Sequence, residues 1–293
     1  MKILITGADG QLGQTLRRTL ADHTLEACNR STLDLTDPVA VAAKFAEFTP
    51  EVVINAAAYT AVDKAESNVA LADAVNHMAV ATIASQCALH RARLFHISTD
   101  FVFDGKRNIP YPANAPCHPV NQYGKTKRNG ELAVLRTLPE TGIVIRTAWL
   151  YSRFGNNFVK TMLRLMRERI QIKVVSDQIG TPTHAATLAD LICSMIMAPP
   201  AAGIYHCSDA GVASWYDFAI AIQEEAITSG LLDQPIEILP IATYEYPTPA
   251  RRPAFSVLDK ADTYRTCAMP IIHWRAMLRR ALQEIAQQEK QLG

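Results

Sequence analysis

Short apolar runs alternate with longer amphipathic segments over the first half of the chain. The short runs are rich in β-branched residues and predict strands, whereas the longer segments repeat their apolar residues at helical spacing. Asp37 followed by Pro38 is a good helix start, because aspartate caps a first turn and proline suits its first position. This alternation is typical of βαβ units in a parallel sheet covered by helices on both faces. The predicted strands are residues 2–6, 24–28, 52–55, 93–98 and 142–146, and the predicted helices are 11–21, 38–48, 69–90 and 123–138.

The second half keeps the alternation less regularly. Residues 244–253 contain three prolines and predict a loop, and no flexible linker separates the two halves. The fold class is therefore predicted to be α/β, a doubly wound (Rossmann-like) parallel sheet over residues 1–150 with a smaller mixed α/β lobe over 151–293, some of whose chain crosses back to the first domain. The cleft between them is the expected site. The predicted elements after residue 150 are helices 158–169, 187–197, 215–229 and 273–288 and a strand at 172–175.

Composition narrows the classes of partner. The 293 residues carry 29 basic and 28 acidic side chains, so the net charge of +1 offers no broad patch for nucleic acid or an anionic membrane. The apolar run at residues 3–5 is too short for a signal peptide, and no later run reaches membrane-spanning length, so a cytoplasmic location is expected. The six cysteines are scattered without zinc-ligand spacing and are predicted to be free thiols.

A glycine pattern follows the first strand directly. It reads Gly7-Ala8-Asp9-Gly10-Gln11-Leu12-Gly13 and opens an apolar-periodic helix. Gly7 permits the tight turn, Gly10 lets the backbone approach a pyrophosphate, Gly13 allows close helix–sheet packing, and the helix N-terminus offers free N–H groups to phosphates. Residues 7–13, with Gln11 and Leu12 between the glycines, are therefore predicted to bind a dinucleotide.

The end of the second strand bears on the choice of nicotinamide cofactor. A strictly NAD-preferring site ends this strand in an acidic residue, but here it runs into Asn29-Arg30, and Arg30 is suited to a 2′-phosphate. Asp34 is predicted to accept from the adenine amino group while Leu35 packs beside the ring. The cofactor is predicted to be NADPH or NADH, with NADPH or dual use favoured; a solvated surface charge is the other interpretation of Arg30.

Small residues follow the third predicted strand. Asn55-Ala56-Ala57-Ala58-Tyr59-Thr60 would let backbone lie against a flat cofactor, so Ala57, Ala58, Tyr59 and Thr60 are assigned to cofactor binding.

Three further residues carry candidate chemistry. Thr99 ends the fourth strand, and Tyr123 and Lys127 stand four residues apart on the next helix, so both side chains share one face. An ammonium beside a phenol lowers the pKa of the phenol, which is ordinarily about 10. Tyr123 is therefore a candidate general acid, Lys127 its partner, and Thr99 a donor to the substrate oxygen.

Together these motifs resemble the extended short-chain dehydrogenase/reductase family, in its dTDP-4-dehydrorhamnose reductase branch. The resemblance covers nearly the whole chain. Besides the glycine pattern and Tyr123/Lys127, it is carried by residues 55–66, 98–105, 146–151 and 155–158 and by Arg252-Pro253.

The resemblance implies that NAD(P)H reduces the C4 keto group of dTDP-4-dehydro-6-deoxy-L-mannose to dTDP-L-rhamnose. Tyr123 would protonate O4, Lys127 would lower the Tyr123 pKa and hold the nicotinamide ribose, and Thr99 would orient the keto oxygen. It assigns the substrate to Thr99, Asp100, Trp149, Asn157 and Arg252, with the Trp149 indole face beneath the sugar and Arg252 on the diphosphate.

Three alternatives remain open. The first is a nucleotide-sugar dehydratase or epimerase of the same fold; dehydratases that resemble this family carry a second acidic residue after the fourth-strand threonine, where this chain has Phe101. The second is a non-catalytic NADP-binding subunit, similar to the regulatory subunit of methionine adenosyltransferase, and the third is reduction of a related nucleotide sugar. The acidic metal ligands of some dimeric relatives are missing around Gln14 and at residues 187–190, so no structural metal and a monomer or weak homodimer are predicted.

Overall fold

The computed structural model describes residues 1–292. Up to residue 147 it follows the predicted alternation, and all five predicted strands start and end within one residue of the observed bounds. The elements are β1 (Lys2–Thr6), α1 (Gln11–Thr19), β2 (Thr24–Cys28), α2 (Pro38–Phe48), β3 (Val52–Asn55), α3 (Val62–Ser67), α4 (Val69–Asp73), a π-helical turn (Ala74–Met78), α5 (Ala79–His90), β4 (Arg93–Thr99), a 3-10 turn (Asp100–Val102), α6 (Gln122–Thr137) and β5 (Gly142–Thr147).

The second half contains short strands between longer helices. Several of these strands, and helix α10, were not predicted from the sequence. The elements are β6 (Leu150–Tyr151), α7 (Phe158–Glu168), β7 (Gln171–Val175), β8 (Ile179–Gly180), β9 (Thr183–His184), α8 (Ala185–Met197), β10 (Gly203–Cys207), β11 (Ala213–Ser214), α9 (Trp215–Thr228), β12 (Glu237–Ile241), a 3-10 turn (Thr243–Glu245), α10 (Ala261–Thr266) and α11 (Trp274–Leu292).

The main sheet has six parallel strands in the order β10-β5-β4-β3-β1-β2. The predicted doubly wound parallel sheet is confirmed. Strand order reverses between β1 and β3, and such a switch point opens a crevice at the carboxyl ends of the strands. The site is therefore expected where β1, β3 and β4 end.

Both faces of this sheet are buried. Ile3 and Ile5 pack into one apolar cluster with α1 and α8, and Leu4 between them packs into another with α2 and α5. The near-continuous apolar character of β1 follows from this two-sided burial. A third cluster, centred on α7, α9 and α11, forms the core of the second half.

The second half of the chain contributes directly to the first layer. Strand β10 pairs with β5, and α8 packs on the same face of the sheet as α1. The division into domains at residue 150, with part of the second domain crossing back to the first, therefore stays a prediction.

One predicted helix is interrupted. The prediction of a single helix over residues 69–90 is wrong, because residues 74–78 form a π-helical turn between α4 and α5. Asn76 lies in this turn, is buried, and bonds to backbone outside the helix. A π-turn is a frequent companion of functional sites.

A buried ion pair joins α6 to the sheet. Glu131 on α6 accepts from Arg146 Nε (2.7 Å) and Nη2 (2.8 Å), and both side chains are fully buried. Ser98 on β4 donates to the same carboxylate at 2.6 Å, and Arg128 adds a second ion pair at 2.6 Å. The arrangement ties helix α6 to β4 and β5 at once.

All six cysteines are free in the structure. Within residues 1–292, no helix is long and apolar enough to cross a membrane, and no three His, Cys, Asp or Glu side chains are grouped as a metal site would require.

Removal of the Glu131 carboxylate should strongly destabilise the fold, because the Arg146 charge would stay buried without its partner. We expect Glu131→Ala to lower the free energy of unfolding by about 3–5 kcal/mol in urea titrations. The matched control is Glu168→Ala in the exposed Arg164–Glu168 pair, which should cost under about 1 kcal/mol. Equal losses in the two variants would contradict this account of the buried pair.

Candidate active site

A cavity of about 740 Å³ opens at the carboxyl ends of β1, β3, β4 and β5. It runs from the glycine turn, past the end of β3, to the start of α6. Of the predicted site residues, only Gly13 and Arg252 lie outside its lining. Those that line it are Gly7, Gly10, Gln11, Leu12, Asn29, Arg30, Asp34, Leu35, Ala57, Ala58, Tyr59, Thr60, Thr99, Asp100, Tyr123, Lys127, Trp149 and Asn157.

The glycine turn brings three backbone segments into contact. Gly7 has φ +73°, and a Cβ there would lie 2.6 Å from the Ala57 backbone nitrogen at the end of β3. A Cβ on Gly13 would lie 2.2 Å from the Gly7 carbonyl oxygen, so Gly13 acts by close packing beneath the cavity. Only glycine is compatible with such approach and with the left-handed backbone at residue 7.

Helix α1 begins at this turn with an open N-terminus. Its cap residue is Gly10, which has no side chain to bond the first N–H groups. These donors and the helix dipole favour a negatively charged group at this point of the cavity. The turn therefore fits a cofactor pyrophosphate.

The polar residues after β2 have two roles. Asn29 and Asp34 stabilise turns, whereas the Arg30 side chain has no such partner within residues 1–292. Asn29 Oδ1 accepts from the backbone N–H groups of Ser31 and Thr32. Asp34 accepts from Thr36 through both its N–H (2.9 Å) and its hydroxyl (2.7 Å), and these bonds lower the Asp34 pKa. Arg30 is exposed at the cavity edge and forms no salt bridge with another described residue. Arg30 is thus the side chain here that is open to a phosphate.

Asn76 holds the strip of small residues after β3. Its side chain accepts from the Tyr59 N–H at 2.9 Å and donates to the Tyr59 carbonyl at 3.1 Å. It also donates to the Thr126 hydroxyl on α6, at 3.2 Å. Sequence reasoning missed this residue; its one signal was a polar amide within the apolar face of a predicted helix.

Tyr123 and Lys127 lie in the first two turns of α6, facing the cavity. Asn121 caps the helix by accepting from the Gly124 N–H at 2.7 Å, which sets where α6 begins. Lys127 Nζ is buried and donates to the Ile97 carbonyl of β4 at 2.6 Å. Burial lowers the pKa of Lys127 to about 8, and nearby Glu131 opposes this shift.

The predicted lowering of the Tyr123 pKa is wrong for this structure. Burial disfavours the phenolate and raises the Tyr123 pKa to about 12, although a hydrogen bond with Thr99 acts in the opposite direction; the Asp100 charge raises the pKa further. The Lys127 ammonium is directed to the Ile97 carbonyl and does not outweigh burial. Tyr123 therefore holds its proton throughout the neutral range, as a proton donor must.

Thr99 and Asp100 complete the inner end of the cavity. Thr99 Oγ1 donates to Asp100 Oδ1 at 3.0 Å and accepts from the Phe101 N–H at 3.1 Å. Asp100 is 2 % exposed, and its Oδ2 has no hydrogen-bond partner among the described residues. Burial raises its pKa to about 6, against the lowering effect of bonds with Ser256 and Thr99. Asp100 thus lines the cavity with a carboxylate whose Oδ2 is closed to solvent, and its contact with the Thr99 hydroxyl fixes that hydroxyl at the inner end.

Two predicted substrate residues have other partners. Asn157 donates to Gln11 Oε1 at 2.9 Å and to the Ser152 carbonyl at 2.7 Å, while its Oδ1 caps α7. The structure thus uses Asn157 to join residues 152–157 to the glycine turn. Arg252 forms a two-pronged pair with Asp63, at 2.8 and 2.7 Å, and is not brought to the diphosphate end of the cavity.

Trp149 lines the cavity, but another side chain covers one face of its indole ring. Its indole stacks on Trp215 with 3.5 Å between ring centroids and 7° between planes. The prediction that this face of the indole lies beneath the sugar is therefore wrong, because Trp215 occupies it.

Comparison with known proteins identifies the family. The model of the RmlD substrate binding domain family matches residues 1–287. The chain belongs to this RmlD family. It is 40% identical to the dTDP-4-dehydrorhamnose reductase of Aggregatibacter actinomycetemcomitans, over 95% of this chain and 97% of that protein. It is 43% identical to the probable dTDP-4,6-dihydroxy-2-methyloxan-3-one 4-ketoreductase of Streptomyces antibioticus, over 97% and 96% of the two chains.

The RmlD fold is also seen in a solved relative. The crystal structure of dTDP-4-dehydrorhamnose reductase from Bacillus anthracis, in complex with NADP, has a TM-score of 0.91 and 36% identity, covering 97% of this chain and 99% of that one. The resemblance drawn from the motifs is confirmed. More distant neighbours below 25% identity, such as a Thermus thermophilus UDP-glucose 4-epimerase, share the fold.

The two ionisable groups at the inner end of this RmlD site predict a bell-shaped pH profile. The Asp100 carboxylate forms as pH rises through about 6, and the Lys127 ammonium is lost as pH rises through about 8. We expect kcat/KM for the keto sugar implied by the motifs to be highest between these values. Asp100→Asn should remove the acid limb alone; an acid limb that persists in this variant would contradict the assignment.

Proposed function

We propose that this protein reduces the C4 keto group of dTDP-4-dehydro-6-deoxy-L-mannose, giving dTDP-L-rhamnose, with NAD(P)H as reductant. One observation carries the proposal: Thr99, Tyr123 and Lys127 meet at the inner end of a cavity whose other end is the glycine turn. A proton donor and a nucleotide site are thus placed in one continuous space. The names of the relatives in the RmlD family support the same reaction.

The residues present fit a nicotinamide dinucleotide. A Cβ at Gly7 would collide with the Ala57 backbone, and the α1 N-terminus is free to bind phosphate oxygens. Arg30 would bind a 2′-phosphate, Asn76 keeps the strip at residues 57–60 in place, and Lys127 would hold the nicotinamide ribose. When bound, the reduced cofactor supplies the hydride. NADPH is favoured by Arg30, with NADH as a second cofactor.

Tyr123 acts as the acid in this reaction. As hydride reaches C4, the electron pair of the carbonyl π-bond moves to O4, and the Tyr123 hydroxyl transfers its proton there. Burial keeps this phenol protonated, because the Tyr123 pKa is raised to about 12. Lys127 stabilises the phenolate that remains, and solvent restores the lost proton.

Thr99 and Asp100 orient the sugar. The Thr99 hydroxyl lies beside Tyr123 and would bond the keto oxygen, and Asp100 would hold that hydroxyl in place through the bond to its Oδ1. Trp149 is proposed to contact the sugar with its ring edge. Asn157 and Arg252 would act through their bonds to Gln11 and Asp63, with no direct substrate contact.

Reduction is favoured over dehydration or epimerisation by the residue after Asp100. The Phe101 ring packs edge-on against Tyr123, with 5.9 Å between centroids and 79° between planes. Dehydratases with similar motifs have a second carboxylate at this position, which elimination chemistry needs. An apolar ring here supports a site that transfers one hydride and one proton. The complete set of Thr99, Tyr123 and Lys127 likewise disfavours a non-catalytic regulatory subunit.

The substrate partner of this reaction is a dTDP-linked deoxysugar. We further propose a cytoplasmic location, a monomer or weak homodimer, and no nucleic-acid or membrane partner, on the near-neutral charge described above.

Loss of the Tyr123 hydroxyl should abolish turnover while cofactor binding survives. We expect Tyr123→Phe to lower kcat by about 10²–10⁴-fold, which is the usual contribution of a general acid. The assay follows NADPH and NADH oxidation with enzymatically generated dTDP-4-dehydrorhamnose. The matched control is Tyr244→Phe, a highly exposed tyrosine outside the cavity lining, which should behave as wild type.

Wild-type protein that oxidises neither cofactor with this sugar, yet binds NADP tightly, would overturn the proposed function. Such a result would favour the non-catalytic alternative or another nucleotide sugar. A Tyr123→Phe variant with normal kcat would instead remove Tyr123 from the mechanism.

A further inference from the structure

The Trp149 indole is enclosed on both faces. Trp215 covers one face, with the two rings nearly parallel and 3.5 Å apart. Gly180 lies against the indole as well: a Cβ built on it would fall 2.6 Å from Trp149 Cε2 and 2.8 Å from Cζ2 and Nε1. Because the stacked ring leaves no room on its own side, Gly180 lies on the opposite face. Trp149 therefore presents only its edge to the cavity.

The backbone of Trp149 is held in an unfavourable conformation. Its φ is +46°, in the left-handed region that bulky side chains rarely adopt. Trp149 accepts at its carbonyl from the Thr183 N–H at 3.2 Å, and the next residue, Leu150, pairs with Thr183 between β6 and β9. Strain of this kind persists where surrounding contacts impose it and is concentrated at functional sites.

Trp215 is itself firmly placed. It is the first residue of α9, directly after Ser214, whose side chain and that of Asp217 form a reciprocal capping box. Trp215 also contacts the Phe158 ring, at 4.6 Å between centroids and 49° between planes. Trp215 does not line the cavity, so any effect it has on a ligand must pass through Trp149.

We propose that Trp215 is a positioning residue for substrate recognition, which holds the Trp149 indole against Gly180 so that its edge meets the sugar nucleotide. Trp149 lines the cavity while Trp215 and Gly180 cover its two faces, so the ring edge is the part of this indole that meets a ligand. The proposal rests on the proposed reductase function. It assigns Trp215 to binding of the sugar nucleotide and not to binding of the cofactor.

The test compares Trp215→Ala with Trp215→Phe, which retains an aromatic ring. With dTDP-4-dehydrorhamnose, Trp215→Ala should raise KM about tenfold, the upper range for loss of one aromatic pair, while kcat and the Kd for NADPH stay near wild type. Trp215→Phe should return KM close to the wild-type value. A purely structural role would move kcat, NADPH binding and KM together.

Circular dichroism provides a readout independent of turnover. Two stacked indoles give a coupled pair of bands of opposite sign in the far ultraviolet, which wild type should show and both Trp215 variants should lose. The control is Trp274→Phe, which removes the third tryptophan; its ring packs on Phe218 and its Nε1 donates to the Val212 carbonyl. That variant should keep the coupled bands and the wild-type KM.

Gly180→Ala tests the same idea without altering either tryptophan. The added Cβ would displace the indole from its place, so KM should again rise and the coupled bands should weaken. This variant decides the matter if Trp215→Ala does not fold.

An unchanged KM in Trp215→Ala protein that has lost the coupled bands, or in Gly180→Ala protein whose bands are weakened, would overturn the positioning role alone. Absence of the bands from wild type would overturn the stack itself. Wild type without turnover would overturn both this inference and the proposed function.

Discussion

The buried pair between Glu131 and Arg146 is the interaction on which the site depends most. It joins α6, which carries Tyr123 and Lys127, to β5, and through Ser98 to the end of β4 where Thr99 lies. A charge pair in such a setting is costly to break, because either partner alone would be a buried charge. The three candidate catalytic side chains thus lie on regular elements that this buried pair holds together, so their spacing does not depend on a loop.

Burial also sets the chemistry of these groups. It raises the pKa of Tyr123 and of Asp100 and lowers the pKa of Lys127, in each case by disfavouring the charged form. The phenol keeps its proton, and the ammonium remains charged only up to about pH 8. A site that donates a proton to a developing alkoxide needs the first property. Stabilisation of the resulting phenolate needs the Lys127 ammonium, so the same desolvation confines that step to pH values below about 8.

The sheet and the nucleotide end could be predicted because their signals are local. β-Branched runs gave the strands, and the glycines at 7, 10 and 13 are needed where backbone meets backbone. The aromatic stack of Trp149 on Trp215, the Asp63–Arg252 pair and the role of Asn76 could not be predicted, because each joins residues far apart in the chain. The error in the Tyr123 pKa has a similar origin: helical spacing placed Lys127 on the correct face, but burial of the phenol, which raises its pKa, depends on packing by residues distant in the chain.

In the proposed reaction, hydride is delivered to C4 of a dTDP-linked keto sugar. The most direct measurement supplies NADPH deuterated at the transferable position and locates the label in the product by NMR. We predict one deuterium per turnover, bound to C4 of the sugar, with a single configuration. Deuterium at any other carbon, or a product formed without label, would contradict reduction at C4 and with it the role assigned to Tyr123.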